Sequence, residues 1–222
     1  MQIKKIYGVI VTNFTVYRYM RLNDIQSITR KKTHRYSKLP HHQIPNLLQR
    51  NFTTSCSNCK WSIDISYIFA IDGVKYLCAI KDMYDKSIIA YTVSRFINLQ
   101  LVLDTVQKAV NIVPFEQRQN LILHSDQGFH FTSVAYQKIL AENNIIQSIS
   151  AKGSCVDNVP IESFFSTLKS ECIYLIQNLK VKDIDKIIDE FIEYYNNERL
   201  QEKIKELTPL EFRELTLNSI FF

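Results

Sequence analysis

The stretch Trp61–Phe69 constrains the fold of this chain more than any other part of the sequence. It is rich in β-branched and aromatic residues, and a period of two places Ile63, Ile65 and Tyr67 on one face and Asp64 on the opposite face. The pattern predicts a β-strand. An acid in the middle of such a strand is conspicuous.

Two turns after this strand predict two more strands antiparallel to it. Asp72-Gly73 is a strong two-residue hairpin signal, and a second turn is expected near Asp85-Lys86. Beyond them, helical and strand patterns alternate. The predicted later elements are a helix at 99–112, strands at 120–124 and 145–149 with a helix at 133–143 between them, a helix capped by Asp157 or Asn158, and a helix at 183–200.

This order predicts one five-stranded mixed sheet flanked by helices, which is an α/β fold. Connections that alternate strand and helix are expected to be right-handed and to give parallel strands. Asp64 and Asp126, at the end of the fourth strand, can meet only if their strands are neighbours. We predict that they are.

Three acids suggest a metal site. Asp126 ends an apolar run beside a glycine, and Glu162 opens a predicted helix, with 35 residues between the two acids. Carboxylates that converge with Asp64 would repel one another, so the arrangement makes sense with divalent cations present. All-oxygen ligands favour Mg²⁺ or Mn²⁺, and two such ions roughly 4 Å apart serve in-line displacement at a phosphodiester.

Each acid also has an ordinary structural explanation. A single aspartate in a strand, or an acid in the first turn of a helix, most often caps the helix, complements its dipole or faces solvent. The spacing alone does not decide between these explanations. Lys169 stands two turns after Glu162, on a polar stripe that also contains Ser166.

Charge is distributed unevenly along the chain. Residues 1–60 carry a net charge of +10 and the remainder −5. The polar, basic stretch 30–45, which contains Pro40 and Pro45, predicts a linker, so a basic arm and linker are expected at 1–49 and the main folded core at 50–216. A basic arm suits a polyanion such as DNA, although a solvated basic linker is the alternative. The arm residues proposed to contact DNA are Arg30, Lys31, Lys32 and Arg35.

Apolar stretches are broken by charge before they reach a bilayer-spanning length, so no membrane association is expected. The five cysteines are expected to be reduced thiols of a cytoplasmic protein. One alternative remains for Cys56 and Cys59, whose spacing suits zinc. The histidines that could complete such a site are His34, His41 and His42.

Several blocks of the sequence carry a specific resemblance. The segments 61–68, 124–133 and 152–171 resemble the three catalytic blocks of the transposases of small bacterial insertion sequences, in the retroviral-integrase superfamily. Tyr194–Arg199 and Thr208–Phe212 are similar to the C-terminal signature of that family.

The resemblance implies a ribonuclease-H-like fold in which Asp64, Asp126 and Glu162 are the Asp-Asp-Glu metal ligands. It further implies nicking of double-stranded DNA at element ends and strand transfer, by a homo-oligomer associated with the nucleoid. Lys152 and Lys169 resemble DNA contacts, or are ordinary exposed lysines.

Other functions follow from departures from the family pattern. Gly8–Arg21 resembles only the end of a helix-turn-helix, so recognition of the element ends is expected to need an upstream-encoded helix-turn-helix protein or a longer frameshifted product, or to be lost. The alternatives are a non-catalytic DNA-binding remnant that regulates a full-length transposase, and a nuclease of the same fold.

Overall fold

A computed structural model describes residues 11–25, 44–150 and 158–218. The chain divides into two compact units, residues 1–41 and 42–222, and the boundary predicted near residue 50 stays a prediction. In the first unit, helix α1 spans Asn13–Leu22, and the side chain of Thr12 caps it by accepting from the Thr15 amide. The spacing of Val16, Tyr19 and Met20 predicts a short helix within residues 12–22, and the structure confirms it.

The second unit contains five strands and five longer helices within its described residues. The strands are β1 Lys60–Ala70, β2 Gly73–Asp82, β3 Ile88–Ser94, β4 Ile122–Ser125 and β5 Ile146–Ile149. The helices are α2 Leu99–Ile112, α3 Val134–Glu142, α4 Val159–Glu171, α5 Ile184–Asn197 and α6 Pro209–Asn218. Short 3₁₀ turns occupy Phe115–Arg118, Ile173–Leu175, Val181–Asp183 and Glu202–Ile204.

The strands form one mixed sheet in the order β3-β2-β1-β4-β5. β1 pairs antiparallel with β2, from Trp61 opposite Asp82 to Ala70 opposite Gly73. It pairs parallel with β4, where Ser62 lies opposite His124. β4 and β5 are parallel as well. The predicted five-stranded mixed sheet, and the predicted contact between the first and fourth strands, are confirmed.

Each face of the sheet carries its own apolar core. Ile63 belongs to the cluster under α2 and α3, whereas Ile68 belongs to the cluster under α4 and α5. These two residues lie on opposite faces because strand side chains alternate. Asp64 therefore faces α4. No helix in the described ranges is long and apolar enough to cross a membrane.

Cys56 and Cys59 are joined by a disulfide, so the expectation that all cysteines are reduced is wrong for this pair. Asn58 between them has a φ of 60°, and the left-handed turn brings the two Cα atoms to 5.9 Å. With their sulfurs bonded to each other, these residues are not zinc ligands in this structure. The three histidines of the zinc alternative lie outside the described residues.

A buried ionic cluster joins the turn after β2 to α6. Asp82 and Asp85 are fully buried, and Arg213 donates from Nε to Asp85 Oδ2 at 2.6 Å and from Nη2 to Asp82 Oδ2 at 3.2 Å. Burial and the charge of Asp85 raise the pKa of Asp82 to about 7, while the amides of Asn58 and Tyr84 and the Arg213 guanidinium oppose this rise. These acids serve the fold.

We expect Arg213→Met to lower the free energy of unfolding by about 3 kcal/mol, because it leaves two buried carboxylates without their cation. Urea denaturation followed by circular dichroism measures the loss. Lys186→Met is the matched control, since it removes one partner of the exposed Lys186–Glu190 pair and should cost less than about 1 kcal/mol. A similar loss in both variants would contradict the assigned role of Arg213.

Candidate active site

Asp64 and Asp126 lie on neighbouring strands at the same end of the sheet. The β1–β4 register places Ser62 opposite His124, and Asp64 and Asp126 each stand two residues further along. Asp64 is half-buried in mid-strand, whereas Asp126 is exposed immediately after β4. Parallel pairing therefore determines which two acids approach each other.

Hydrogen bonds to the next strand anchor the segment that carries Asp126. The ring of buried His124 contacts Ser148 Oγ through Nδ1 at 2.9 Å and Ser150 Oγ through Nε2 at 3.2 Å. The Gln127 amide donates to the Ser150 carbonyl at 3.0 Å. The segment around Asp126 is thus held against β5.

Backbone amides orient the two aspartates. Asp64 Oδ1 accepts from the Ile65 amide at 2.7 Å, and Asp126 Oδ1 accepts from the Gly128 amide at 2.8 Å. Within the described ranges, no hydrogen bond is made to Oδ2 of either residue. One oxygen of each carboxylate is therefore directed by the backbone while the other remains available to a ligand.

Glu162 is brought to the same region by α4. Asn158 precedes this helix, but its side chain makes no capping hydrogen bond; the predicted cap is wrong for Asn158, and Asp157 lies outside the described residues. Instead, Asn158 Nδ2 donates to the Ile63 carbonyl at 3.2 Å. The helix start is thereby tied to β1 one residue before Asp64.

A cavity of about 400 Å³ lies between β1 and α4, and it is lined by Asp64, Glu162, Ser166 and Lys169 among others. The predicted polar stripe on this helix is confirmed, since all three of its members line the cavity. Asp126 does not line it. Sequence reasoning did not select Tyr67, which also lines the cavity although its side chain was assigned to the opposite face.

The charges of these residues act on one another. Burial is the largest cause that raises the pKa of Asp64, to about 7; the Ile65 amide opposes it, and Asp126 and Glu162 raise the pKa further. Burial and then Asp126 raise the pKa of Glu162. Burial lowers the pKa of Lys169, and Asp64 opposes this change. The three acids and the lysine form one electrostatic group.

Asp64, Asp126 and Glu162 suit a hard divalent cation, because all three side chains supply carboxylate oxygens. Their ionised carboxylates also repel one another, and a bound cation would offset this repulsion. In the part of the chain that the structure describes, however, no three histidine, cysteine, aspartate or glutamate side chains lie close enough to hold one metal ion. Binding one ion through all three acids therefore requires them to approach more closely than they do here.

The structure leaves most of the proposed DNA contacts unplaced. Lys169 is half-buried beside the acids. The remaining predicted contacts lie outside the described residues; they are Lys152, Arg30, Lys31, Lys32 and Arg35.

Solved structures share this fold. A chain of the simian T-cell lymphotropic virus intasome, solved in complex with the PP2A regulatory subunit B56 gamma, matches with a TM-score of 0.63 and 16% identity over 79% of this chain and 60% of that one. The HTLV-2 integrase catalytic core, solved with magnesium, matches with a TM-score of 0.57 and 13% identity over 71% and 97% of the two chains. Both are retroviral integrases, so the predicted ribonuclease-H-like fold is confirmed.

Sequence comparison identifies the family. Two models described as integrase core domain match residues 54–155 and 162–217. An uncharacterized transposase-like protein of Haemophilus influenzae is 42% identical over 80% of this chain and 81% of its own length. The putative transposase InsK of IS150 from Escherichia coli is 39% identical over 78% of this chain and 60% of its own length. The transposase InsF of IS3A from the same organism is 32% identical over 86% of this chain and 68% of its own length. The chain therefore belongs to the integrase-core transposases of bacterial insertion sequences.

Proposed function

We propose that this chain cuts and joins DNA at the ends of an insertion sequence, with Asp64, Asp126 and Glu162 as its Asp-Asp-Glu catalytic acids. One observation carries the proposal. A sheet strand, the end of its parallel neighbour and a helix bring these acids into a single electrostatic group. Mutual repulsion of this kind is costly without a cation.

The acids would hold Mg²⁺ or Mn²⁺, and two ions are expected. When bound, such ions activate the attacking oxygen and stabilise the leaving oxygen of a phosphodiester. The chain's own contribution is positioning: the Ile65 and Gly128 amides orient Asp64 and Asp126, and Asn158 fixes the start of α4 against β1. Lys169 presents a cation to a DNA phosphate from the same cavity.

The substrate is double-stranded DNA, both at the element ends and at the target. A water molecule cleaves the end to free a 3′-hydroxyl, which then attacks a second phosphodiester. Transposition joins two ends, so at least a dimer is needed. A helix-turn-helix protein encoded upstream, or a longer frameshifted product, would supply recognition of the terminal repeats. This chain itself would act on DNA at the nucleoid, in the cytoplasm.

We expect Asp64→Asn and Glu162→Gln to abolish nicking and strand transfer on element-end DNA in Mg²⁺ or Mn²⁺, because each removes a carboxylate from the acid group. Gel assays of end cleavage, with isothermal titration of Mn²⁺, measure the effect. Asp104→Asn is the control, since Asp104 is an exposed acid on α2 and its loss should leave both activities unchanged.

The outcomes separate the three functions. Activity that survives Glu162→Gln with metal present would contradict the assignment of Glu162 as a catalytic acid. Mn²⁺ binding that does not depend on Asp64 would favour the non-catalytic DNA-binding remnant. Cleavage without strand transfer would favour a nuclease of the same fold.

We expect Gly128→Ala to reduce cleavage by about tenfold or more while the protein still folds. A Cβ at this position would lie 2.9 Å from Asp126 Oδ1 and 3.3 Å from the Phe131 ring, so the carboxylate must move. End-cleavage rates and melting temperatures are to be measured together.

Gly73→Ala is the matched glycine control. Gly73 has a φ of +153°, and a Cβ there would lie 3.1 Å from Val181. Gly73 pairs with Ala70 at the end of β1, six residues along the strand from Asp64. This variant should lose thermal stability and keep its cleavage rate per folded molecule. Equal cleavage by wild type and Gly128→Ala would show that the position of Asp126 does not depend on this glycine.

A further inference from the structure

Lys81 on β2 is a buried cation whose location the fold alone does not explain. Its exposed fraction is 4%, and no ion pair includes it among the described residues. Lys75 on the same strand is buried to a similar extent, 6% exposed, but its Nζ lies 2.5 Å from Asp185 Oδ2. An ammonium that is buried without a carboxylate normally costs stability.

The surroundings of Lys81 add to this cost. Burial lowers its pKa to about 7, and the charges of Lys86, Arg199 and Lys203 lower it further, while Asp85 opposes them. A methionine has nearly the same length and would carry no such penalty in this apolar layer. The ammonium is therefore tolerated at the expense of stability, as functional residues often are.

The contacts of Lys81 lead to the beginning of α4. Lys81 Nζ donates to Ser163 Oγ at 3.3 Å, and Ser163 Oγ donates to the Pro160 carbonyl at 2.7 Å. Ser163 directly follows Glu162, and both residues lie in the first turns of this helix. The hydroxyl thus connects a residue of the sheet to the backbone that carries Glu162.

The far end of α4 is fixed by a second cation. Arg199 donates from Nε and Nη2 to the two carboxylate oxygens of Glu171 at 2.8 and 2.6 Å. Both cations also contact the same ring: Lys81 Nζ lies 5.6 Å and Arg199 Cζ 5.7 Å from the centroid of Tyr195. The Tyr195 ring in turn meets Phe164 of α4 edge-on, with the centroids 5.0 Å apart. Tyr195 is therefore the common support of the two cations and the helix.

We infer that Lys81 is a positioning residue for Glu162, acting through Ser163 to fix the rotation of the first turns of α4. This inference rests on the proposed function, because it treats Glu162 as a catalytic acid. Lys81 itself is buried beneath α4 and does not line the cavity that Asp64 and Glu162 share. The effect of removing it must therefore pass through the helix.

The test is Lys81→Met in the full chain. We expect its melting temperature to rise, because a buried ammonium that has no carboxylate partner is removed. End cleavage and Mn²⁺ affinity should each fall about tenfold. Amide hydrogen exchange in residues 159–166, measured without metal, should become faster than in the wild type. A merely structural lysine would instead lower stability together with activity.

Three further variants sharpen the test. Ser163→Ala changes an exposed residue and should reproduce the losses of cleavage and Mn²⁺ affinity seen in Lys81→Met. The double variant should be no worse than the more impaired single variant, because both changes break one connection. Lys75→Met is the matched control: it removes a buried lysine of the same strand together with an ion pair, so it should lower the melting temperature and leave exchange in residues 159–166 unchanged.

Exchange in residues 159–166 that is the same in Lys81→Met and wild type would overturn the inference, as would additive losses in the double variant. The exchange measurement does not depend on catalysis. If the wild type neither bound Mn²⁺ nor cut DNA, the proposed function would fail, yet the link from Lys81 to the start of α4 would still be tested by exchange.

Discussion

The parallel pairing of β1 with β4 is the constraint on which the rest of the site depends. Only three residue pairs make this contact, with Ser62 opposite His124 as the last of them. Strand side chains alternate, so a slip of one residue would turn Asp64 to the opposite face and separate it from α4. The bonds that His124 makes to Ser148 and Ser150 hold the β4 side of this register.

Two groups of acids in the protein differ in whether a cation of the fold pairs with them directly. Asp82 and Asp85 are fully buried and both pair directly with the guanidinium of Arg213, which offsets part of their charge within the fold. Asp64 lies beside Asp126 and Glu162, whose charges add to the rise of its pKa, while Lys169 lowers it without an ion pair to any of the three acids among the described residues. Acids paired directly with a cation of the fold serve structure, whereas acids without such a pair are suited to an external cation.

The residues of the C-terminal signature pack against α4 and against β3. Tyr195 packs against Phe164, and Arg199 binds Glu171 at the end of α4. Asn196 donates to the Ile88 carbonyl and accepts from the Ile88 amide, which fixes the start of β3. The signature therefore stabilises the packing of α4 and the start of β3, and none of its residues lines the cavity within the described ranges.

Much of the fold could be predicted from sequence alone. Period two in β1 and helical spacing in α2 and α4 are local patterns, so they located the elements and assigned Asp64 to the face opposite Ile63, whereas the choice of Glu162 as a catalytic acid came from the resemblance to the family and stays a prediction. The contact between the strands of Asp64 and Asp126 was predicted because the two acids can meet only if their strands are neighbours. The Cys56–Cys59 disulfide and the role of Asn158 did not, because Asn58 and Asn158 take conformations and partners that no spacing encodes.

What the sequence determined by itself is the strands and the helix that carry Asp64, Asp126 and Glu162, and the charge asymmetry between the first 60 residues and the remainder. Only the tertiary structure decided which partner each buried charged side chain has. Lys81 meets Ser163 across 82 positions, and Arg213 meets Asp82 across 131. Local periodicity reports which face a side chain occupies, but the partner across that face depends on how distant segments pack.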